Sequence, residues 1–205
     1  MNNKIQLDYF PTWLKVITIF LGISFVGLGF YVFVLSVSHL DTNWGGFVGA
    51  IILWVIGASC YPIARHLCKN KRIREINQKV NELSNNETEM SVSDFLKMRN
   101  QTFGGRGSPQ YVRDKQFSGV YILYNKTKNM YYVGQAQYVF DRVNAHFTGK
   151  GNGDVYADYK YGDEFTIKMI SLEKSGYNSL NELERHTIMT YKAFSKGYNK
   201  TRGNF

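Results

Sequence analysis

The sequence predicts an α+β protein in which an α-helical membrane hairpin precedes a small domain of three strands and flanking helices. Two long uncharged apolar runs lie near the start of the 205-residue chain. From residue 117 onwards, runs rich in β-branched and aromatic residues alternate with segments of helical spacing. We therefore divide the chain into a transmembrane hairpin over 1–64, a basic helical linker over 65–116 and an α+β domain over 117–205.

The two apolar runs have the length of membrane spans. Residues 16–37 and 44–63 contain no charged side chain over 22 and 20 residues. A helix rises about 1.5 Å per residue, so each run can cross a hydrocarbon core of about 30 Å. A cleaved signal peptide has an apolar region of about 7–15 residues, which is shorter than the first run. We expect two uncleaved spans.

Basic residues around the runs predict the orientation of the hairpin. The loop 38–43 has no Lys or Arg, whereas Lys4 and Lys15 precede the first span. Five basic residues follow the second span: Arg65, Lys69, Lys71, Arg72 and Arg74. Trp13 and Trp44 stand where interfacial aromatics are expected. The positive-inside bias predicts a multi-pass protein of the cytoplasmic membrane with both ends in the cytoplasm.

Charge and cysteine content limit the classes of partner and site. Of the 25 basic and 16 acidic residues, only two of each precede residue 64, so the whole net charge of +9 falls on 64–205. This balance fits a polyanion, either nucleic acid or an anionic lipid surface. Cys60 and Cys68 are not expected to form a disulfide in a reducing compartment, and they lack the spaced histidines of a zinc site.

The segment 71–85 has the spacing of an amphipathic helix, with apolar residues at Ile73, Ile76, Val80 and Leu83. One interpretation packs this face on its own domain or on the membrane surface. The other is a short coiled-coil seam that pairs two copies of the chain. Gly45 and Gly49 in the second span have a small-xxx-small spacing that also favours pairing.

The remaining elements follow in order along the sequence. Residues 84–90 are polar and indicate a linker, and 91–100 predict a short helix capped by Ser91 or Ser93. The glycine-rich stretch 103–110 is a loop without the ending of a P-loop. A hairpin, a helix, a strand and a helix are then predicted over 118–135, 137–147, 164–172 and 179–194, with 125–129 as the hairpin loop.

Tyrosines and glycines in the hairpin suggest phosphodiester chemistry. Hydrolysis requires a group that takes a proton from water, a cation for the developing charge and a group that holds the phosphate. Tyr121 and Tyr132 come from adjacent strands, so their hydroxyls can converge. Gly119 and Gly134 would give room for a backbone or a phosphate. The alternative is an ordinary pair of sheet tyrosines in a chain with 15 of them.

The two predicted helices add charged groups. Arg142 and His146 are four residues apart and share a helix face, and a guanidinium fork suits a phosphate. Glu184 lies in the middle of a helix and can hold Mg²⁺ together with waters and substrate oxygens. The alternatives are a solvated face, a surface glutamate and, for Asn199, a turn residue that satisfies its own backbone.

Together these residues resemble the GIY-YIG nuclease family over about 117–205. The hairpin triplets are Gly119-Val120-Tyr121 and Tyr132-Val133-Gly134, with valine in place of isoleucine in the first. The arginine of the next helix matches Arg142, and a histidine of the phage homing-enzyme branch matches His146. The metal-binding glutamate, followed four positions later by isoleucine, matches Glu184. The Gly-Tyr-Asn ending matches residues 197–199.

The resemblance implies a fold, a cofactor and roles for these residues. The fold is a small three-stranded antiparallel sheet flanked by helices, and Glu184 would hold one Mg²⁺ or Mn²⁺ ion. Tyr121 would be the general base or would relay a proton from the attacking water. Arg142 and Tyr132 would stabilise the pentavalent phosphate. Two supporting roles remain: proton transfer or phosphate contact for His146, and positioning of neighbours for Asn199.

The implied function is a membrane-anchored endonuclease that cleaves DNA at the cytoplasmic face. Tethering raises its local concentration near DNA that crosses the membrane, which suggests defence against phage genomes. One alternative is a catalytically inactive, membrane-tethered adaptor that binds nucleic acid. Another is a membrane-assembly protein whose basic segment 64–74 lies on lipid headgroups.

Overall fold

The computed structural model describes residues 10–37, 44–99 and 115–204. The chain divides into two compact units, Met1–Glu75 and Ile76–Phe205. The predicted external turn at 38–43 and the glycine-rich loop at 103–110 lie outside the described residues. Each unit is described in turn.

Two long helices dominate the first unit. Helix α1 spans Thr12–Val37, and helix α2 spans Trp44–Asn85. Both are long and apolar enough to cross a membrane, by length and composition. Helix α2 runs through Pro62 without interruption, so the amphipathic helix predicted at 71–85 is the end of one 42-residue helix.

Small residues bring α1 close to the first part of α2. A Cβ atom at Gly22 would lie 2.9 Å from the carbonyl oxygen of Gly57, and the indole Nε1 of Trp54 donates to the Val26 carbonyl at 3.2 Å. Such glycine contacts allow helix backbones to approach closely. Gly45 and Gly49 have no described atom within 4 Å of an added Cβ, so pairing through them stays a prediction.

The second unit contains an antiparallel sheet. Its strands are β1 (Met90–Ser91), β2 (Gly119–Asn125), β3 (Met130–Ala136) and β4 (Phe165–Ser171). Their order is β1-β4-β2-β3, and every neighbouring pair is antiparallel. The predicted hairpin and third strand are confirmed. Strand β1 adds a fourth strand that was not predicted, because two residues are too few to show an alternating pattern.

Six helices accompany the sheet in the described part of this unit, besides the end of α2. They are α3 (Val92–Arg99), α4 (Val139–Phe147), α5 (Gly153–Lys160), α6 (Leu172–Ser175), α7 (Leu180–Thr190) and α8 (Ala193–Lys196). The Ser91 hydroxyl accepts from the Asp94 N–H at 3.1 Å, as a helix cap does. Helices α7 and α8 replace the single helix predicted over 179–194, because Lys192 adopts a left-handed conformation with φ 53°.

Side chains alternate between the two faces of the sheet, as in any strand. On one face, Tyr121 and Leu123 are buried in a core with α3, α4 and α5. On the other, Val120 and Ile122 are buried with Leu183 of α7. Strand β3 is an edge of the sheet. Side chains from both faces can therefore meet along that edge.

The end of α2 packs on the α+β domain. Ile76 and Val80 are 4% and 0% exposed. Lys79 donates to the carbonyl of Gly176, and the Tyr191 hydroxyl donates to Ser84. The apolar face of this segment is thus covered within the chain. That packing favours the first interpretation of 71–85 and does not support its use as a seam between two copies.

Candidate active site

The hairpin brings Tyr121 and Tyr132 together on one face of the sheet. Tyr121 pairs with Gly134 across the ladder, and its ring centre lies 6.2 Å from that of Tyr132. A Cβ atom at Gly134 would overlap the Tyr121 hydroxyl. The space at Gly134 therefore holds a tyrosine ring, and the expectation that it admits a phosphate is wrong. The space at Gly119 is taken by the carbonyl of Ile170 in β4.

His146 lies behind Tyr121 and is fully buried. Its Nε2 atom is 2.9 Å from the Tyr121 hydroxyl, and its Nδ1 accepts from the Asn152 N–H at 2.9 Å. An Nδ1 that accepts is unprotonated, so in the neutral ring the proton is on Nε2. His146 therefore donates to the Tyr121 oxygen. A Cβ atom at Gly151 would lie 2.6 Å from Nδ1, so glycine permits this close approach.

Burial governs the ionisation of these groups. It raises the pKa of Tyr121, as does the neighbouring Tyr132, whereas Arg142 acts in the opposite direction. Burial also raises the pKa of Tyr132, although Arg142 and a hydrogen bond from Tyr121 both act to lower it. Burial and the charge of Arg142 lower the pKa of His146 to about 4. At neutral pH the cluster holds a neutral imidazole and two protonated tyrosines.

Arg142 stands at the exposed rim of this cluster. It lies one turn before His146 on α4, and its side chain is exposed where that of His146 is buried. Its guanidinium is close enough to lower the pKa of both tyrosines. A solvent-facing guanidinium above two hydroxyls can receive a phosphate, because its planar fork matches the phosphate oxygens.

Glu184 comes to the same strand edge from α7. It is only 7% exposed, so the expectation of a surface glutamate is wrong. Its Oε2 accepts from the Asn204 N–H at 3.1 Å. Burial raises the pKa of the carboxyl, while hydrogen bonds from Asn204 and Gln135 work against that rise. The Glu184 charge in turn raises the pKa of Tyr132, which shows that the two groups are neighbours.

The Glu184 carboxylate is a ligand of the kind that a hard divalent cation prefers. Within the described residues there is no group of three or more His, Cys, Asp or Glu side chains that could hold a metal. Mg²⁺ is commonly held by one or two carboxylates, with substrate phosphate and water as the remaining ligands. Glu184 supplies one such carboxylate, and both it and Arg142 are close enough to Tyr132 to change the pKa of that tyrosine, which would suit an ion shared with a substrate phosphate.

Asn199 pairs with the outer edge of β3. Its Oδ1 accepts from the Val133 N–H at 2.9 Å, and its Nδ2 donates to the Val133 carbonyl at 2.7 Å. The N–H of Tyr198 donates to the carbonyl of Tyr131 at 2.9 Å. A Cβ atom at Gly197 would overlap that same carbonyl. The Gly-Tyr-Asn segment thus occupies the free edge between the two faces.

Sequence reasoning missed three supporting residues of the site. Asn152 orients His146 and also caps α5, with its side chain accepting from two backbone N–H groups. Asparagine before a predicted helix start is the signal that could have found it. Gln135 and Asn204 contact Glu184 from distant parts of the chain. No local pattern marks either of them.

The six predicted site residues all lie in one region of the chain that matches a known domain family. No curated protein and no solved structure shows significant similarity to the chain. Residues 117–199 match the family model described as the GIY-YIG catalytic domain. The matched region begins just before β2 and ends at Asn199. Residues 117–199 therefore form a GIY-YIG domain, a domain of a nuclease family.

Proposed function

We propose that the chain is a metal-dependent endonuclease that hydrolyses DNA phosphodiester bonds. One observation carries the proposal. Two hydrogen-bonded tyrosines, a rim guanidinium and a buried carboxylate meet at edge strand β3. A module that only binds DNA needs the guanidinium but has no use for a buried carboxylate, which repels a polyanion. DNA is the expected substrate because residues 64–205 carry the whole net charge of +9, which suits a polyanion.

The hydrogen bonds suggest how a proton leaves the attacking water. The Tyr121 hydroxyl bonds to His146, both tyrosine rings lie against the imidazole, and Tyr132 is the more exposed of the two tyrosines. His146 has no free acceptor atom, because Nε2 carries a proton and Nδ1 is occupied. We therefore propose that a tyrosinate accepts the proton of the attacking water. Water loses it to the phenolate oxygen of Tyr121, directly or through the Tyr132 hydroxyl, and the His146 N–H stabilises that phenolate beforehand.

Arg142 and Glu184 would act on the phosphate itself. The Arg142 guanidinium would bind the non-bridging oxygens and stabilise their growing charge as water adds and the leaving oxygen departs. Glu184 would hold the Mg²⁺ or Mn²⁺ ion. When bound, such an ion neutralises charge on the phosphate and on the leaving group. Asn199 would keep Tyr132 and Gly134 in place through Val133.

We further propose that α1 and α2 anchor this nuclease in the cytoplasmic membrane. Their apolar lengths support two spans, and the basic residues before the first apolar run and after the second support cytoplasmic ends. The partners would then be the lipid bilayer and DNA that passes through it. A role in defence against phage genomes follows from this location.

Plasmid cleavage by the full chain in detergent micelles tests the proposed activity. We expect nicking of supercoiled DNA with Mg²⁺ or Mn²⁺ and none with EDTA. Glu184→Gln should abolish nicking, whereas Glu182→Gln, two residues earlier on the same helix, should retain it. Intact DNA in every reaction, with retained DNA binding, would instead favour the inactive adaptor.

A further inference from the structure

A cavity lies on the face of the sheet opposite to Tyr121. Its volume is about 190 Å³, and its floor is formed by Ile122 of β2 and Thr166 of β4. The pairing of β4 with β2 puts these residues on the same face as Tyr124. Since strand side chains alternate, this is the face away from His146. The cavity is therefore separate from the candidate active site.

Three tyrosine rings form the walls of this cavity. Tyr131 stacks on Tyr124 with ring centres 4.4 Å apart and planes inclined by 15°, and it lies 4.9 Å from Tyr191. The Tyr124 hydroxyl donates to Asn129, and the Tyr191 hydroxyl donates to Ser84. These bonds fix the rings before any ligand arrives. Such aromatic walls suit a flat ring, which stacks or packs edge-on against them.

Polar groups stand at the floor and at the rim. Thr166 is 6% exposed, and within the described part of the chain its hydroxyl makes no hydrogen bond. The hydroxyl is not one of the fully buried side-chain atoms that lack a partner, so it faces accessible space and a ligand in the cavity can bond to it. At the rim, Lys168 Nζ lies 3.7 Å from the Glu89 carboxylate. This half-exposed pair presents a donor and an acceptor side by side.

From these groups we propose that the cavity binds one pyrimidine base. A cavity of about 150 Å³ holds a benzene ring, so about 190 Å³ suits a single six-membered ring with its substituents. The edge of a pyrimidine has carbonyl oxygens beside N–H or amino groups, which match an ammonium, a carboxylate and a hydroxyl. Nucleobases also stack on aromatic side chains. The base can belong to a free nucleotide or to a single strand.

Isothermal titration of the full chain in detergent micelles, without divalent metal, tests the proposal. The probes are dTMP, dCMP, dAMP and an eight-residue oligothymidylate. We expect binding of a pyrimidine probe. Binding of dTMP or dCMP identifies a free nucleotide as the ligand, and binding of the oligomer alone identifies a single strand. Absence of binding by all pyrimidine probes, or equal affinity for dAMP, would overturn the proposal.

Substitutions inside and outside the cavity test whether the pyrimidine probe binds there. Tyr191→Ala removes one wall and should weaken affinity about tenfold, the size of a lost stacking contact. Thr166→Val keeps the shape and the strand preference but removes the hydroxyl, so it should weaken affinity without loss of folding. Tyr161→Ala, at a tyrosine that is 89% exposed and outside the cavity, should change nothing. Unchanged affinity in both Tyr191→Ala and Thr166→Val would overturn the proposal, whatever the plasmid assay shows.

Discussion

The side-chain amide of Asn199 bonds to both backbone groups of Val133, at 2.9 and 2.7 Å, and so takes the place of a neighbouring strand. Val133 stands between Tyr132 and Gly134, so this pairing fixes the backbone that carries the second triplet. On the proposed mechanism, Asn199 would act on the site through Val133, as a positioning residue.

Asn199→Asp should disturb the alignment of the site without changing its affinity for DNA. The aspartate keeps an oxygen that accepts from the Val133 N–H. Its second oxygen replaces the amide group that donates to the Val133 carbonyl, and the two oxygens repel each other. We expect the single-turnover rate to fall at least tenfold and the free energy of unfolding to fall by about 1–3 kcal/mol, with DNA affinity unchanged. Asn178→Asp, at an exposed asparagine, is the control. A variant with a normal rate would show that this pairing does not align the site.

Gly134→Ala should disable the site by displacing Tyr121. The added methyl group would overlap the Tyr121 hydroxyl, whose ring lies over the glycine. We expect loss of cleavage and a loss of about 1–3 kcal/mol in the free energy of unfolding. Gly153→Ala is a matched control, because a Cβ there meets no atom of the described residues within 4 Å. Thermal unfolding and plasmid nicking measure the two effects. Full nicking by Gly134→Ala would exclude the assigned role of the tyrosine.

The pH dependence of cleavage should follow tyrosine ionisation. Burial raises the pKa of Tyr121, so the active tyrosinate is scarce at neutral pH and its fraction grows with pH. We expect the single-turnover rate to rise about tenfold per pH unit between about pH 7 and 9. Tyr121→Phe should abolish this rise, and Tyr161→Phe should retain it. A rate that is flat above about pH 5 would indicate His146 as the base, since its pKa is about 4.

Asn204→Pro should weaken metal binding. Proline lacks the N–H that bonds to Glu184 Oε2, whereas Asn204→Ala keeps it. Hydrogen bonds to a ligating carboxylate orient it, and their loss typically costs about tenfold or more in metal affinity. Titration with Mn²⁺ in the absence of DNA, followed by electron paramagnetic resonance, measures this directly. Equal affinity in the two variants would mean that the Asn204 contact has no part in holding the ion.

Removal of residues 1–63 should leave DNA cleavage intact but abolish protection of the cell against phage. The unit Ile76–Phe205 contains every proposed catalytic residue. Because Ile76 and Val80 are buried in it, a shortened chain should begin before residue 76. We expect the shortened chain to nick plasmid normally but to lose protection against phage and to increase host DNA breaks. Full-length Glu184→Gln is the inactive control. Equal protection by the shortened chain at equal expression would refute the entry-defence role.

Local patterns predicted much of the fold. Alternation and turn residues located both strands around Tyr121 and Tyr132, and helical spacing placed Arg142 and His146 one turn apart. The short elements α5, α6 and β1 were missed because their lengths give weak periodic signals. The break at Lys192 was also missed, since a left-handed lysine has no sequence marker.

The environment of the site residues could not be predicted in the same way. Glu184 looked exposed because its neighbours on the helix are polar, yet Gln135 and Asn204 cover it from positions far along the chain. The direction of the His146–Tyr121 hydrogen bond depends on the Asn152 N–H, which comes from the turn after α4. Both features depend on tertiary contacts, whereas a sequence motif specifies only residue types and their spacing.

The pairing of Val133 with Asn199 spans 66 residues, and this has a consequence for biosynthesis. A ribosome that has released the tyrosine hairpin has not yet added Glu184 or Asn199. The nascent chain therefore carries the hairpin with neither its proposed metal carboxylate nor the amide that holds its edge. On the proposed chemistry, a product that stops before residue 184 would be inert. The host would thus meet a competent nuclease only after synthesis has passed Asn199.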